Sequence, residues 1–387
     1  MPIETEFTFA QAHAPGAVAF EAPTDFLGLL RGLVGDLPAK QPKRTWRGTG
    51  FNMIWRPNFD SEFGTKDFFL ELNFTDETLS FTEISGATGV ANRGLLQKGI
   101  FLGAVAYVQT INDKFDNSGQ HFEPGVWANV PQTTNPNEKS TVVRMGSIPH
   151  GTTINLQGHA FSVQTPQFAV SSITPFQFGS PDDGKTNLVH FAEETLTIPS
   201  SSRTDLTRVA GLTQAQLTNP NLFLSQAIAN QTIISTTVLT VNSDTSVPQS
   251  VPDAGGGTDN IAFLIGKGAP PAGGPNANAA PVTATFWIER VKDQNGNEFN
   301  QLQYTQRVLL NFNGLSWPHV TVGTLVSHSL PAVYEVKSGD TLSAIALNFY
   351  GSGTELFWRN IYDANRAIIG PDPNLISPGE RLTIPAL

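Results

Sequence analysis

The sequence predicts a mainly β protein, a large antiparallel barrel or sandwich with long insertions over residues 41–330, followed by a small mixed domain over 331–387. Three observations predict it. Apolar and polar residues alternate with period two through most of the central region. Polar turn clusters separate the alternating runs. After about residue 330 the period changes to that of a helix.

Taken in order, residues 1–40 form a leader with one short helical pattern, "TDFLGLLRGLVGDL", in which Thr24 or Asp25 caps and Phe26, Leu29, Leu30 and Leu33 recur on one side. In "FFLELNF", Phe68, Leu70, Leu72 and Phe74 alternate with polar residues; "TDET" reads as a turn and "LSFTEI" as the next strand. The stretch from Thr283 to Phe312 reads as a hairpin about an Asn295-Gly296 turn, a pair suited to positive φ. "NPNLFLSQAIANQ" is a helix within the strands, with Leu222, Ile228 and Ala229 on one side. "PDAGGG" and "GKGAPPAGGPNANAAP" are low-complexity loops, and 160–280 reads as a large insertion that fills or covers any pocket.

Composition narrows the function. The 387 residues carry 23 Lys+Arg against 33 Asp+Glu, a net charge of −10, which argues against general binding to nucleic acid or anionic lipid. There is no cysteine, so disulfides and thiolate chemistry are excluded. The N-terminus lacks the pattern of a signal peptide and no apolar run is long enough to span a membrane. Those readings leave a cytoplasmic chain or one exported non-classically to the cell wall. No G-x-S-x-G or H-E-x-x-H motif is present. The carboxylate pairs Asp182-Asp183 and Glu193-Glu194 have no evident route to a substrate.

From Ala332 the chain reads strand, helix, helix, strand. Leu342, Ile345, Ala346 and Phe349 recur at helical spacing with Asp340 as N-cap and Gly351 as stop; Trp358, Ile361, Tyr362 and Asn365 repeat the spacing. The run "YEVKSGDTLSAIA…FYG…W..IYDANR…DPNLISPGERLTIP" closely resembles the LysM family over about 55 residues. The resemblance implies a βααβ module that binds N-acetylglucosamine-containing glycan, peptidoglycan or chitin. Its groove maps to Gly339, Asp340, Thr341 and Leu342 and to Asn374, Leu375, Ile376 and Pro378. The competing reading is that these residues serve the fold and that the module docks a partner in an assembled particle.

"TWRGTGFNMIWRP", then "LGAVAYVQTI", "HFEPGVWANV", "TTINLQG" and "WPHVTVGTL", resemble in order the nitrobindin-like haem-binding calycin β-barrels. Trp46, Gly48 and Gly50 match the first motif, Tyr107 and Gln109 the second, and His121, Glu123 and Gly125 the third. His319 falls at the family's axial ligand. The resemblance implies a calycin-like barrel holding haem b or a small apolar ligand, with peroxynitrite isomerase-like chemistry as a possible activity. It implies His319 on the iron. Read on their own, His121 either faces a distal pocket or pairs with Glu123 or a turn, and Arg144 and His150 either bind a propionate or another carboxylate or tie loops down. From the residues alone, a break in the strand after Pro318 turns His319 toward the barrel mouth; without a break it lies opposite Val320 and Val322 and points outward if the valines fill the barrel. It is then a rim histidine, and the chain a structural protein with a filled barrel.

Overall fold

The computed structural model describes residues 43–385 apart from 60–61, 85–89, 93, 136, 170–171, 244–256, 261–276, 295, 297, 329–331, 351–352 and 354. The leader helix, Asn295, Gly351 and most of both low-complexity loops lie outside the described residues. Ten long strands form one antiparallel barrel: β1 (Lys43–Pro57), β2 (Phe68–Glu83), β4 (Ile100–Asp113), β5 (Gly119–Val130), β8 (Thr141–Ser147), β9 (Thr152–Val163), β11 (Thr232–Asn242), β13 (Asn278–Lys292), β14 (Glu298–Phe312) and β15 (Leu315–His328). Each pairs with the next, and β15 returns to β1, with Trp46 opposite Ser327 and Ile54 opposite His319. Closure removes the exposed edges that an open sheet would present. Short strands decorate it: β3 (Val90–Asn92) on β4, β10 (Phe176–Gln177) on β15, β12 (Gly257–Asn260) on β9, and the two-residue pair β6 (Thr133–Thr134) and β7 (Asn137–Glu138).

The hairpin read from the sequence is present: Lys292 pairs with Glu298, and Gly296 takes φ +87° in the turn. The turn read at "TDET" is not. β2 runs unbroken from Phe68 to Glu83. What changes there is which face is buried. Before Thr75 the even residues Phe68, Leu70 and Leu72 are buried outside the barrel; after it the odd residues Leu79 and Phe81 are buried inside. A switch of face breaks the hydrophobic alternation as a turn would.

Two apolar cores result. One fills the barrel end nearest Trp46, with Phe81, Val105, Trp127, Leu302 and Leu325. Trp46 is fully buried there, as expected for a residue plugging a barrel end. The other lies on the outer face of β1, β2 and β15, where the insertion after β9 packs on the wall. Trp317 stacks on Phe312 and Phe191 at centroid distances of 4.7 and 5.3 Å and meets Trp55 at 5.6 Å. Helices α1 (Gln214–Thr218) and α2 (Leu222–Ala227) bury Leu217 and Leu224 in the same layer. The insertion therefore covers the outside of the barrel. The sequence pattern did not separate that case from a covered pocket, because an apolar outer strand face looks the same as an apolar inner one.

Past residue 331, β16 (Ala332–Glu335) and β17 (Arg381–Ile384) form a two-stranded sheet, with α3 (Leu342–Tyr350), α4 (Glu355–Ala364) and a short α5 (Arg366–Ile369) between them. Leu342, Ile345, Ala346, Ile361, Tyr362 and Leu382 make its core. Asn365 joins helix to strand: its amide donates to Ile361 and Thr383 carbonyls at 2.7 and 2.5 Å, and its Oδ1 accepts from Thr383 N at 2.7 Å. Among the described residues no helix is long and apolar enough to cross a membrane.

Candidate functional site

Successive inward positions of β1 are Trp46, Gly48, Gly50 and Asn52, and β15 opposes them with Leu325, Gly323, Thr321 and His319 near the same registers. The glycines leave room at the barrel waist, and large polar side chains take it. A Cβ on Gly323 would stand 2.6 Å from the Tyr304 ring, and one on Gly146 would stand 2.4 Å from Glu123 Oε1 and 2.6 Å from the Tyr107 hydroxyl. Contacts that close do not occur between real atoms, so these positions exclude any side chain.

The waist holds two joined clusters. Arg144 Nη2 donates to both oxygens of Glu123, at 2.9 and 3.1 Å, its Nε donates to the Tyr107 hydroxyl at 3.0 Å, and its Nη1 donates to Gln306 Oε1 at 2.6 Å. Tyr107 itself donates to Glu123. Beside them Tyr304 donates to Glu77 Oε2 at 2.5 Å, and Gln109 donates to the Tyr304 hydroxyl at 3.1 Å. Burial alone would raise the pKa of Glu123, but the Arg144 charge and bonds from His121 and Tyr107 hold it at about 2. Glu77 has no such cation, and burial pushes it up to about 7 against bonds from Tyr304 and Thr75. Two neighbouring buried carboxyls thus differ in protonation at neutral pH: one is ionised and paired, the other is poised to gain or lose its proton.

The mouth away from Trp46 carries the histidines. His319 faces inward and the valines outward, because Val320 and Val322 serve the outer core, so the condition under which alternation would turn His319 outward is not met. Asn52 Oδ1 accepts from the Thr321 hydroxyl at 2.8 Å and lies 2.9 Å from His319 Nε2. Two donors at one carboxamide oxygen place the proton on Nε2. Burial, then the nearby His121 and His150, lower the His319 pKa to about 3, so its ring is neutral. His121 bonds Glu123 Oε2 at 3.1 Å and meets His150 edge to face at 5.2 Å. At the same mouth His150 has its pKa lowered, first by partial desolvation and then by the nearby His121.

Arg144 binds a carboxylate, as its placement near a propionate required, but that carboxylate is Glu123 inside the barrel. His319 meets one requirement of an iron ligand, neutrality, and its Nε2 is engaged with Asn52. Among the described residues no group of three or more His, Asp or Glu is disposed to hold a metal ion. Glu77, Tyr304, Gln306 and Asn52 were missed in the sequence. Their only signal was polar residues at inward positions beside glycines.

The carboxylate pairs have local partners. Glu193 is buried under Lys66 and Ser200, Glu194 accepts from Thr174, Asp182 from Arg307 at 2.6 Å, and Asp183 from Thr186. Glu193 and Asp182 tie the insertion to the barrel, and Glu194 and Asp183 bond within it.

In the C-terminal domain the two expected loops stand side by side, because Val336 bonds both Gly379 and Glu380. Gly339 has φ +87°, where a side chain would be strained. Asp340 is not the N-cap: its Oδ2 accepts from the Tyr334 hydroxyl at 2.7 Å and Lys337 N at 2.8 Å, closing the turn. Thr341 caps instead, accepting from Ala344 N at 3.1 Å. Leu342 is core; Asn374 and Pro378 are exposed, and Ile376 is half-buried. Leu375 is 67% exposed.

These features define a closed β-barrel followed by a small βααβ module. Comparison with known proteins makes the second part particular: residues 334–385 match the LysM domain and form one. Over 75 residues the chain is 36% identical to the potassium binding protein Kbp of Escherichia coli O6:H1. That match takes in 19% of this chain and 48% of Kbp, so the chain spans about half the length of that relative. Among solved structures, Rv2717c from M. tuberculosis aligns with 78% of this chain and 95% of its own, at 10% identity and a TM-score of 0.30.

Proposed function

We propose that this chain is a glycan-binding protein that grips N-acetylglucosamine-containing polymer, peptidoglycan or chitin, through Gly339–Leu342 and Asn374–Pro378 of its LysM domain. The exposure of Leu375 carries the reading. A leucine retained only for packing would be buried. This one projects to solvent from the second of the two loops, where it can cover an acetyl methyl while loop amides bond the N-acetyl groups. Calorimetry of the full chain with chito-oligomers tests it, with an expected Kd of about 10–1000 μM. Leu375→Asp should abolish retention on insoluble peptidoglycan; retention unchanged by that substitution would move the site off these loops, and no retention of the native chain would favour docking of a protein partner.

The second reading is a small ligand at the barrel mouth, haem included. It is supported by three inward or mouth-facing histidines, of which His319 is neutral at all physiological pH. Haem at His319 requires Asn52 to release Nε2. Hemin titration should then give a Soret band that shifts or disappears in His319→Ala and persists in His328→Ala. If no band forms, the filled barrel is a scaffold.

A further inference from the structure

The wall that the insertion leaves bare lacks charge. Tyr107, Glu123 and Arg144 bond one another inside the barrel, so the alternate residues of β4, β5 and β8 face out. The charged residues of these three strands are Asp113, Glu123 and Arg144, all buried and all in the inward set. The outward set groups Val108, Phe122, Pro124, Val126, Val143 and Met145. Val108 stands opposite Pro124 and Val126 opposite Met145, so the patch is continuous across the strands. Val108, Phe122 and Met145 are exposed, and among the described residues no segment covers them. A sheet face in water ordinarily carries polar and charged residues, and an apolar, uncharged patch marks a surface that something covers.

The chain itself supplies an occupant. Ahead of β1, residues 24–37 read "TDFLGLLRGLVGDL", bounded by Pro23 and Pro38. Phe26, Leu29, Leu30 and Leu33 recur on one side of the helical pattern, and Gly28, Arg31, Gly32 and Gly35 fall on the other. Each glycine costs a helix about 1 kcal/mol, so this pattern needs an apolar surface to fold against.

The register of the barrel brings the two together. Lys43, at the start of β1, stands opposite Thr82, Thr82 opposite Ala106, Ala106 opposite Val126 and Val126 opposite Met145. One row of residues thus leads from the end of the leader to the patch. At about 4.8 Å per strand, Val126 lies about 14 Å from Lys43. Residues 38–42 span up to about 17 Å when extended, so the end of the pattern reaches the patch. Such a short tether also holds its local concentration there in the mM range, ahead of a free second copy.

We propose that residues 24–37 dock as an amphipathic helix on the bare wall of β4, β5 and β8, with Leu29, Leu30 and Leu33 over Val108, Phe122 and Met145. The leader then does for this wall what the insertion does for the other. The proposal stands whether or not the LysM reading holds.

The test exploits the absence of native cysteine. Met145→Cys places a thiol in the patch, and Ser201→Cys places one at an exposed turn of the insertion as a reference. Alkylation of each thiol is timed in the full chain with the native leader and with Leu29→Asp and Leu33→Asp together. The expected result is that the substituted leader speeds Met145→Cys about tenfold and leaves Ser201→Cys unchanged. The reciprocal pair keeps the proposal falsifiable should the leader substitutions disturb folding: a thiol at Leu30→Cys should react about tenfold faster when the wall carries Phe122→Asp. Equal rates in both comparisons would overturn the proposal. Slow alkylation of Met145→Cys that ignores the leader and slows further with protein concentration, with a dimer in sedimentation, would overturn it in favour of a second copy on this face.

Discussion

On the inner face of β1, β2 and β15 stand Asn52, Glu77 and His319; on the outer face of the same strands stand Phe51, Met53, Leu70, Leu72, Val320 and Val322. Over the half of this wall away from Trp46, the usual arrangement of a barrel is inverted. The apolar layer is outside, sealed by the insertion, and the polar network is inside, where glycines admit it. The opposite wall shows what the insertion does: there Val108, Phe122 and Met145 are 42, 46 and 43% exposed on an uncovered outer face. On the outer face, burial under added chain decides where the aromatic residues accumulate. The inner face is thereby free to carry groups whose protonation depends on their neighbours.

The largest expected effect tests the outer core. Trp317→Ala removes a ring in contact with Phe312, Phe191, Trp55 and Phe68. It should cost about 3–5 kcal/mol in denaturant unfolding, in the range for aromatic truncation in a core. Trp46→Ala should cost a similar amount at the plugged end. A small loss for Trp317 alone would show the insertion to be loosely attached and the comparison of faces to be overstated.

The inner face should show itself in pH dependence. Glu77 is raised from 4.5 to about 7, so its contribution is fully present below 4.5 and is lost as pH rises through 7. His319 is lowered from 6.5 to about 3, so its contribution is present above 6.5 and is lost as pH falls toward 3. Between those limits the two slopes oppose each other, each about 1.4 kcal/mol per pH unit. Glu77→Gln should unmask the histidine: relative to the native chain, stability should gain about 3 kcal/mol between pH 4.5 and 6.5. Parallel stability curves for the two proteins would mean that Glu77 is ionised throughout.

Gly146→Ala sharpens the claim that the waist is full. Its new methyl would meet Glu123 and Tyr107, for an expected loss of about 1–3 kcal/mol. Gly119→Ala, with no atom within 4 Å of the added Cβ, serves as the neutral control.

How much of this was legible in the sequence follows the same division. The LysM domain was readable almost throughout, because its signals are local: helical spacing, a Gly with positive φ, a turn before the last strand. Even there Asp340 was taken for the cap when Thr341 supplies it, since both types cap and only geometry chooses. The barrel strands were readable from alternation, yet alternation does not say which side is inside. That is why β2 looked broken at Thr75 and why the face of His319 stayed open between barrel mouth and outer rim. Arg144, His121 and Glu123 were found through their motifs. Gln306, the partner of Arg144, lies 162 positions away, and the neighbouring pair Tyr304 and Glu77 are 227 positions apart; no local pattern announces such pairs.

The smallest effect bears on the histidine itself. His319→Gln keeps a side-chain amide that can donate to Asn52, so stability at pH 7 should change by less than about 1 kcal/mol. The sharper readout is the ring of the native residue. With Asn52 Oδ1 accepting from both Thr321 and His319, the Nε2 atom carries the proton and Nδ1 does not. Nitrogen NMR should therefore find His319 as the neutral Nε2–H tautomer, with no titration above about pH 4. If Nε2 is instead unprotonated, Asn52 has turned its amide toward the ring. The nitrogen then accepts a weak bond that a metal can displace, the inner face ceases to be a closed network at this point, and the mouth of the barrel becomes an open ligand site.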